Sequence, residues 1–390
     1  MKKTNIGLFG FGVVGEGIYK VLEQKPQLGA SIKKVVIKQP NKARNAPDDL
    51  FSTQAKDILE DSKIDLVVEL IDDADAALGI VIKAMQNGKS IISANKKMIA
   101  ENLQFLIETA KENNVSFLYE AAVCGSIPII RNLEEYFNNE LITNVTGIIN
   151  GSTNYILTQM TKKGLDYNTT LKKAQELGFA ESNPKLDVEG WDARNKLKIM
   201  VLHAFGKLLK DEDITVKGID SISKFDIAFA KEKGYVIKLI ATCKTNKNGE
   251  IEEASVLPTF IPKFHPLRLT NNEFNGVLIG GELTDEQFLY GKGAGRYPTS
   301  SAVLSDISSY LFDYKYEYKK KIEEVNEPLS AQRKFYISFP KEANIDWTCF
   351  GTVQETFSSE NHCWVALYGK TDNVLSLSKR YNVSIISYLE

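Results

Sequence analysis

The sequence predicts an α/β chain of two domains: a doubly wound parallel sheet, then an α+β domain with a largely antiparallel sheet, closed by a short β-rich tail. Three observations carry that expectation. Short β-branched runs alternate with helical stretches over the first third of the chain. A glycine-rich turn, GFGVVG at 10–15, separates the first apolar run from the first helical stretch. Beyond Gly147 longer strand-like runs, joined by short turns with Asn and Gly, replace the alternation.

Taken in order, NIGLF (5–9) reads as the first strand and EGIYKVLEQ as the first helix, with IKKVVIK (32–38) as the second strand. IDLVVELI (64–71), a helix around 76–87, KSIISA (89–94), a helix around 98–113 and VSFLYEA (115–121) continue the alternation. Parallel strands need such crossovers. These elements make a first domain of residues 1–130. Helical stretches at 154–163, 168–177 and 191–209 open a second domain, 131–315. In it YVIKLIATCK (235–244), a Lys-Asn-Gly-Glu turn and IEEASVLPTFI read as a hairpin, and NGVLIGGEL and EQFLYG as further strands. A helix from about 299, read to Asp313 with a charged continuation to about 325, is expected to pack back on the first domain. The tail, 331–390, alternates β-branched and aromatic runs around one helix at 371–381.

Composition excludes several classes of partner. Of 390 residues, 43% are hydrophobic and 25% charged, ordinary globular values, and the net charge of −2 gives no electrostatic reason to bind nucleic acid or an anionic membrane. No apolar run reaches the roughly 18 residues that a membrane span needs. The N-terminal MKKTNIGLFGFGVVG reads as strand and turn rather than as a secretory signal. Cys124, Cys243, Cys349 and Cys363 show no metal-ligand spacing, and the expectation is a reduced, cytoplasmic protein.

The glycine turn points to a dinucleotide. Gly10 permits the tight turn, Gly12 lets a pyrophosphate approach the backbone, and Gly15 lets the helix lie close to the strand. Phe11, Val13 and Val14 complete the turn. Where an NAD-specific chain carries an acid about 20 residues further on, this one has Lys38, followed by Lys42 and Arg44. NADP(H) is therefore expected to be preferred, with NAD(H) still accepted because nothing repels it.

A second cluster begins at LDVEGWDARNKLKIM (186–200). Asp187, Glu189, Asp192 and Lys196 crowd the entrance of a helix that is apolar almost all round from Leu197 to Phe205. Asp192 and Lys196 are one helical turn apart, and a solvated pair of this kind contributes only about 0.2–0.5 kcal/mol. A nicotinamide enzyme, however, must handle the proton on a carbonyl oxygen, and a lysine can stabilise the alkoxide and donate that proton.

Further blocks join these in a fixed order: VVELI at 67–71, SANK at 93–96, YEAAVCGSIPIIR at 119–131, NGSTNYIL at 150–157, GFAESNP with DVEGWDARNKLKI across 178–199, and GKGAGRYPTSSAV at 291–303. Together they resemble the homoserine dehydrogenase family over roughly residues 4–315. The resemblance implies NAD(P)-dependent interconversion of L-aspartate 4-semialdehyde and L-homoserine. It implies Lys196 as proton donor, oriented by Asp192, with Glu181 on the substrate ammonium and Asp187 as a further acidic contact. It also implies Lys96 as a second pocket lysine, substrate contacts at Asn150 and Thr153, and cofactor contacts at Ser93, Lys96, Gly293 and Gly295. Ser152 or Thr153 would in addition serve as a helix cap. A monovalent cation, Na+ or K+, would lie on the carbonyls of Glu120, Val123, Gly125 and Ile127. A homodimer or higher homo-oligomer is implied, without an aspartokinase half.

There are departures from the family pattern. Asp72-Asp73 stand where the family has two glycines, and two carboxylates there would repel phosphate unless they turn away or bind cations. The tail reads as extra strands for subunit contact or as a reduced relative of the ACT regulatory domain. Two rival functions stay open: another nicotinamide-dependent dehydrogenase of amino or hydroxy acids, or a non-catalytic NADP-binding sensor. Intact Lys196, Asp192 and Glu181 argue against the sensor.

Overall fold

The computed structural model describes every residue except 1–3, 140, 326–328, 330, 342, 344, 361 and 390. The chain forms two units, Met1–Asn138 with Gly291–Lys321, and Asn139–Tyr290 with Ile322–Glu390. The first begins with β1 (Thr4–Phe9), α1 (Val13–Gln24), β2 (Ala30–Val36), β3 (Phe51–Ser52), α2 (Lys56–Leu59) and β4 (Leu66–Glu69). It continues with α3 (Ala74–Gln86), β5 (Ser90–Ser93), α4 (Lys96–Glu101), α5 (Leu103–Glu112), β6 (Phe117–Leu118) and α6 (Ile129–Glu134). The second holds β7 (Ile142–Ile148), α7 (Gly151–Lys163), α8 (Tyr167–Glu176), α9 (Lys185–Val188), α10 (Trp191–Phe205), β8 (Lys207–Leu208) and β9 (Thr215–Val216). Then come α11 (Lys224–Glu232), β10 (Val236–Thr245), β11 (Ile251–Ile261), β12 (Phe274–Gly281) and β13 (Asp285–Lys292). After α12 (Arg296–Tyr310), a first-unit helix, the second unit resumes with β14 (Glu323–Glu324), β15 (Gln332–Phe339), β16 (Thr352–Ser358), β17 (Cys363–Lys370), α13 (Thr371–Ser376) and β18 (Ser384–Tyr388).

The first unit is the expected parallel sheet, in the order β3-β2-β1-β4-β5-β6. β4 and β5 are buried at every position, as strands covered on both faces must be. The order reverses between β1 and β4, and a doubly wound sheet opens its ligand crevice at such a reversal. Helix α12 packs on α1, where Ser300 Oγ donates to the Val14 carbonyl at 3.0 Å.

Three boundaries differ from expectation. The helix expected over 98–113 is two helices, α4 and α5, because Asn102 leaves helical geometry (φ −129°, ψ 24°) between them. The strand expected over 115–121 shortens to β6, since from Tyr119 onward the backbone turns and Glu120 N–H bonds Asp306 instead of a neighbouring strand. The helix expected to about 325 ends at Tyr310. Beyond it tyrosines alternate with charges, a period of two that suits extended chain. Tyr316 is buried edge-on against Tyr119, with centroids 5.0 Å apart, and the Tyr318 and Tyr119 hydroxyls meet at 3.0 Å.

Among the described residues the second unit has a ten-stranded sheet, β13-β12-β7-β10-β11-β18-β15-β17-β16, with β9 beside β11. Antiparallel pairs dominate, and β11 pairs in parallel with β18 and β9. The predicted hairpin is β10–β11, its turn closed by Asn246 N–H to the Glu250 carbonyl at 2.9 Å. Helices α7, α10 and α11 pack on β10, and Leu197 to Leu202 of α10 supply core side chains, with Lys198 the exception. That helix stops at Phe205 rather than 209, because Gly206 adopts φ +70°. The tail joins the same sheet through β15, β16, β17 and β18. Phe335, Ile337, Val365, Leu367 and Ile385 share a core with Leu257 of β11. A buried ion pair between Arg333 of β15 and Glu253 of β11 adds a polar tie. Among the described residues no helix is long and apolar enough to cross a membrane.

Candidate active site

In the first unit the glycine turn is built for close approach. Gly10 has φ +91°, and a Cβ there would stand 2.9 Å from the Leu70 carbonyl oxygen. A Cβ on Gly15 would stand 2.6 Å from the Gly10 oxygen, so α1 lies against the turn only without a side chain. At Gly12, the N-cap of α1, a Cβ would meet nothing within 4 Å. The open position thus faces free space at the positive end of a helix, where a pyrophosphate fits. Gly10, Phe11 and Gly12 line a cleft of about 580 Å³ together with Lys38, Lys42, Leu70, Ile71, Asp72 and Asp73. Lys38 and Lys42 are exposed on its rim. Arg44 instead turns onto its own loop, donating to the Gln39 and Lys42 carbonyls at 2.6 Å each.

Asp73 accounts for half of the acidic departure. Its carboxylate accepts the Ala76 N–H at 3.0 Å as the N-cap of α3, while Asp72 stays exposed. The second glycine turn leads from β13 to α12, with Gly295 (φ +115°) as N-cap. Arg296 pairs with Glu16 of α1 at 3.1 Å, beside Phe11, Gly12 and Val13. Gly293 packs on Gly125, where a Cβ would come within 2.6 Å of the Gly293 carbonyl. Ser93 is fully buried, its hydroxyl donated to Glu69 at 2.6 Å, and Lys96 opens α4 just after the N-cap Asn95. Around the cation stretch the Glu120 carboxylate accepts the Ile130 and Arg131 N–H groups at 2.9 Å each. Asp306, fully buried, accepts Glu120 N–H through one oxygen at 3.0 Å, and among the described residues its other oxygen accepts nothing.

In the second unit Asn150 organises the acids. It caps α7, its Oδ1 accepting both Thr153 N–H and Thr153 Oγ1 at 2.9 Å, so the cap is Asn150 and not Ser152 or Thr153. Its Nδ2 donates to Asp187 Oδ1 at 2.7 Å and to Asp192 Oδ2 at 2.8 Å. Asp192 lies in the first turn of α10, where the helix dipole favours negative charge. One turn on, Lys196 Nζ pairs with Asp192 Oδ2 at 2.8 Å and donates to the Ile149 carbonyl at 2.9 Å. Asp192 and Lys196 are only 5% and 8% exposed, so this is not a solvated pair. Asn150, Thr153, Asp187, Asp192 and Lys196 thus form one hydrogen-bonded cluster. Glu189 is not in it, because its carboxylate takes the Trp191 indole N–H at 2.8 Å. Glu181 lies on an exposed loop, where its carbonyl accepts Gln175 Nε2 at 2.9 Å.

Known proteins match this architecture along most of the chain. The family model described as homoserine dehydrogenase covers residues 128–308, and that described as homoserine dehydrogenase, NAD binding domain, covers 10–120. The homoserine dehydrogenase of Bacillus subtilis is 40% identical over 320 residues, 80% of this chain and 73% of that protein. That of Synechocystis is 40% identical over 313 residues, 78% of this chain and 72% of that protein. The chain belongs to the homoserine dehydrogenase family.

As a homoserine dehydrogenase it is an NAD(P)-dependent oxidoreductase of amino-acid biosynthesis, with a small amino-acid substrate. The crystal structure of the homoserine dehydrogenase from Thiobacillus denitrificans matches with a TM-score of 0.89 at 29% identity, over 100% of this chain and 99% of that one. A hyperthermophilic archaeal homoserine dehydrogenase in complex with NADPH matches with a TM-score of 0.70 at 25% identity, over 81% and 99%.

Two buried charges of this homoserine dehydrogenase escaped the sequence reading. Glu69 ends β4 fully buried, and burial, reinforced by Asp72, pushes its carboxyl up to about 7 against the hydrogen bonds of Ser93 and Ile71. Lys238 of β10 is 2% exposed and donates to Asn154 Oδ1 at 2.8 Å and the Thr270 carbonyl at 2.6 Å. Burial, with Lys162 and Arg268 adding repulsion, lowers its ammonium to about 7. Each had one signal, a lone charge inside an apolar strand run.

Proposed function

We propose that Lys196 is the proton donor in the reduction of L-aspartate 4-semialdehyde to L-homoserine, and the acceptor in reverse. The observation that carries this is the double restraint on its ammonium, 2.8 Å from Asp192 and 2.9 Å from the Ile149 carbonyl. Among the described residues these are its two acceptors, which leaves a third N–H for a substrate oxygen. Asp192 aims the Lys196 ammonium, and Asn150 holds Asp192 and Asp187 side by side for the substrate. Glu181 meets the substrate ammonium from the loop, and Lys96, which opens α4, is a second substrate-binding lysine. The dinucleotide, when bound, supplies the hydride. The turn Gly10–Gly15 and the N-terminus of α1 hold its pyrophosphate, and Lys38 with Lys42 favour the 2′-phosphate of NADP(H).

A monovalent cation on the Glu120, Val123, Gly125 and Ile127 carbonyls would fix the stretch that packs on Gly293. The homodimer we propose uses β13, an edge strand that exposes Phe288 and Tyr290. The four cysteines are free thiols, which supports a cytoplasmic setting.

NADPH oxidation by purified Lys196→Ala with aspartate semialdehyde tests the central assignment. Turnover should fall about 10²–10⁴-fold while NADPH binding is kept, because the lysine acts on charge that develops only in the transition state. A loss of tenfold or less would remove Lys196 from this role and make Lys96 the leading donor.

A further inference from the structure

Glu69 is a buried carboxylate that touches none of the residues assigned to the proton transfer. No cation answers its charge among the described residues, and a carboxylate so placed is costly unless its acceptors are used. Its two oxygens take donors from the β4–α3 loop and from the end of β5. Oε1 accepts the Ile71 N–H and Oε2 the Ser93 hydroxyl, each at 2.6 Å. Ser93 Oγ in turn accepts the Asn95 N–H at 3.1 Å, and Asn95 Nδ2 returns to the Ile71 carbonyl at 3.0 Å. Asn95 Oδ1 then accepts the Met98 N–H at 3.0 Å and so starts α4.

The circuit closes on itself. It joins the β4–α3 loop, which lines the dinucleotide cleft at Ile71, to the β5–α4 turn, which leads into α4 at Lys96, one residue past Asn95. A glutamine would fill the same volume but offers one acceptor and two donors, so with its oxygen on the Ile71 N–H it would turn an N–H on Ser93 Oγ and reverse that bond. Only a carboxylate keeps every bond of the circuit in its present direction.

We propose that Glu69 is a positioning residue of the reaction, one that locks the cleft wall at Ile71 to the Lys96 loop and so fixes Lys96 relative to the bound dinucleotide. This rests on the reading of Lys96 as a pocket residue. The experiment is a double-mutant cycle on the full chain, with NADPH and aspartate semialdehyde, comparing wild type, Glu69→Gln, Lys96→Ala and the double variant. Glu69→Gln should lower kcat about tenfold and leave KM for NADPH within about threefold, since it disturbs placement rather than cofactor binding. In the Lys96→Ala background the same change should cost less than about twofold, because its route is already cut.

If Glu69→Gln does not fold, Ser93→Ala removes one donor of the circuit and carries the same comparison. Equal losses in both backgrounds, with Lys96→Ala itself impaired, would overturn the proposal alone. So would a loss of NADPH affinity that tracks a loss of thermal stability, which is the mark of a packing residue. Wild-type turnover by Lys96→Ala would remove the pocket reading of Lys96, and the proposal with it.

Discussion

A single amide, Asn150 Nδ2, restrains two carboxylates that the chain brings from 37 and 42 positions away. Like charges this close would part unless held, and a neutral donor between them holds both without cancelling either. Glu181 differs in kind, since it is exposed and a single charged contact there contributes about 1 kcal/mol at most. Glu181→Gln should therefore raise KM for homoserine by about fivefold and spare kcat. Steady-state kinetics showing a fall in kcat at constant KM would contradict an ammonium-binding role. Lys38, also exposed, should matter for the choice of dinucleotide. Replacing it with Ala should cut the ratio of kcat/KM for NADPH over NADH by about tenfold, the low end for a charge-assisted contact. Equal use of both cofactors by the wild type would refute that argument. Lys196 and Asp192 were legible in the sequence because their spacing alone makes them neighbours on a helix. The Asn150 bridge and the Glu69 circuit were not, because their partners meet only once the fold has formed.

At the scale of elements, the β1 turn and α1 fit together through absent side chains. Gly15→Ala would place a methyl 2.6 Å from the Gly10 carbonyl oxygen, a backbone atom that cannot swing aside. The helix must lift from the turn, at a cost of about 1–3 kcal/mol. Thermal unfolding should register that loss, and NADPH titration should show weakened binding. Unchanged affinity would mean that the turn is not where the pyrophosphate lies. The parallel sheet and the glycine turn could be read from apolar runs and their spacing, a signal repeated over many residues. Element ends could not, because a single backbone angle or side-chain hydrogen bond decides each. Asn150 caps α7 two residues before Ser152 and three before Thr153, and Asp73 puts into a helix cap a charge that would otherwise face phosphate.

For the whole molecule, the tail is legible as strands but not as part of the second unit's sheet. β18 enters between β11 and β15, a pairing across more than a hundred residues that no local pattern encodes. The Arg333–Glu253 pair tests how firmly this graft holds, both side chains being under 10% exposed. Arg333→Ala should destabilise the unit by about 3–5 kcal/mol by leaving Glu253 buried and uncompensated, whereas Arg333→Met with Glu253→Leu should recover most of that. Chemical denaturation of the two variants decides it, and equal stability would show that the pair carries little of the tie. The position of β18 also bears on how the protein is made. The ribosome delivers β10 and β11 long before residues 384–388, so the part of the β11 edge that β9 leaves uncovered, at Thr259 and Phe260, must wait unpaired until those residues emerge. Through that interval the growing chain exposes an apolar strand edge, the kind of surface that chaperones capture and that pairs wrongly between neighbouring nascent chains.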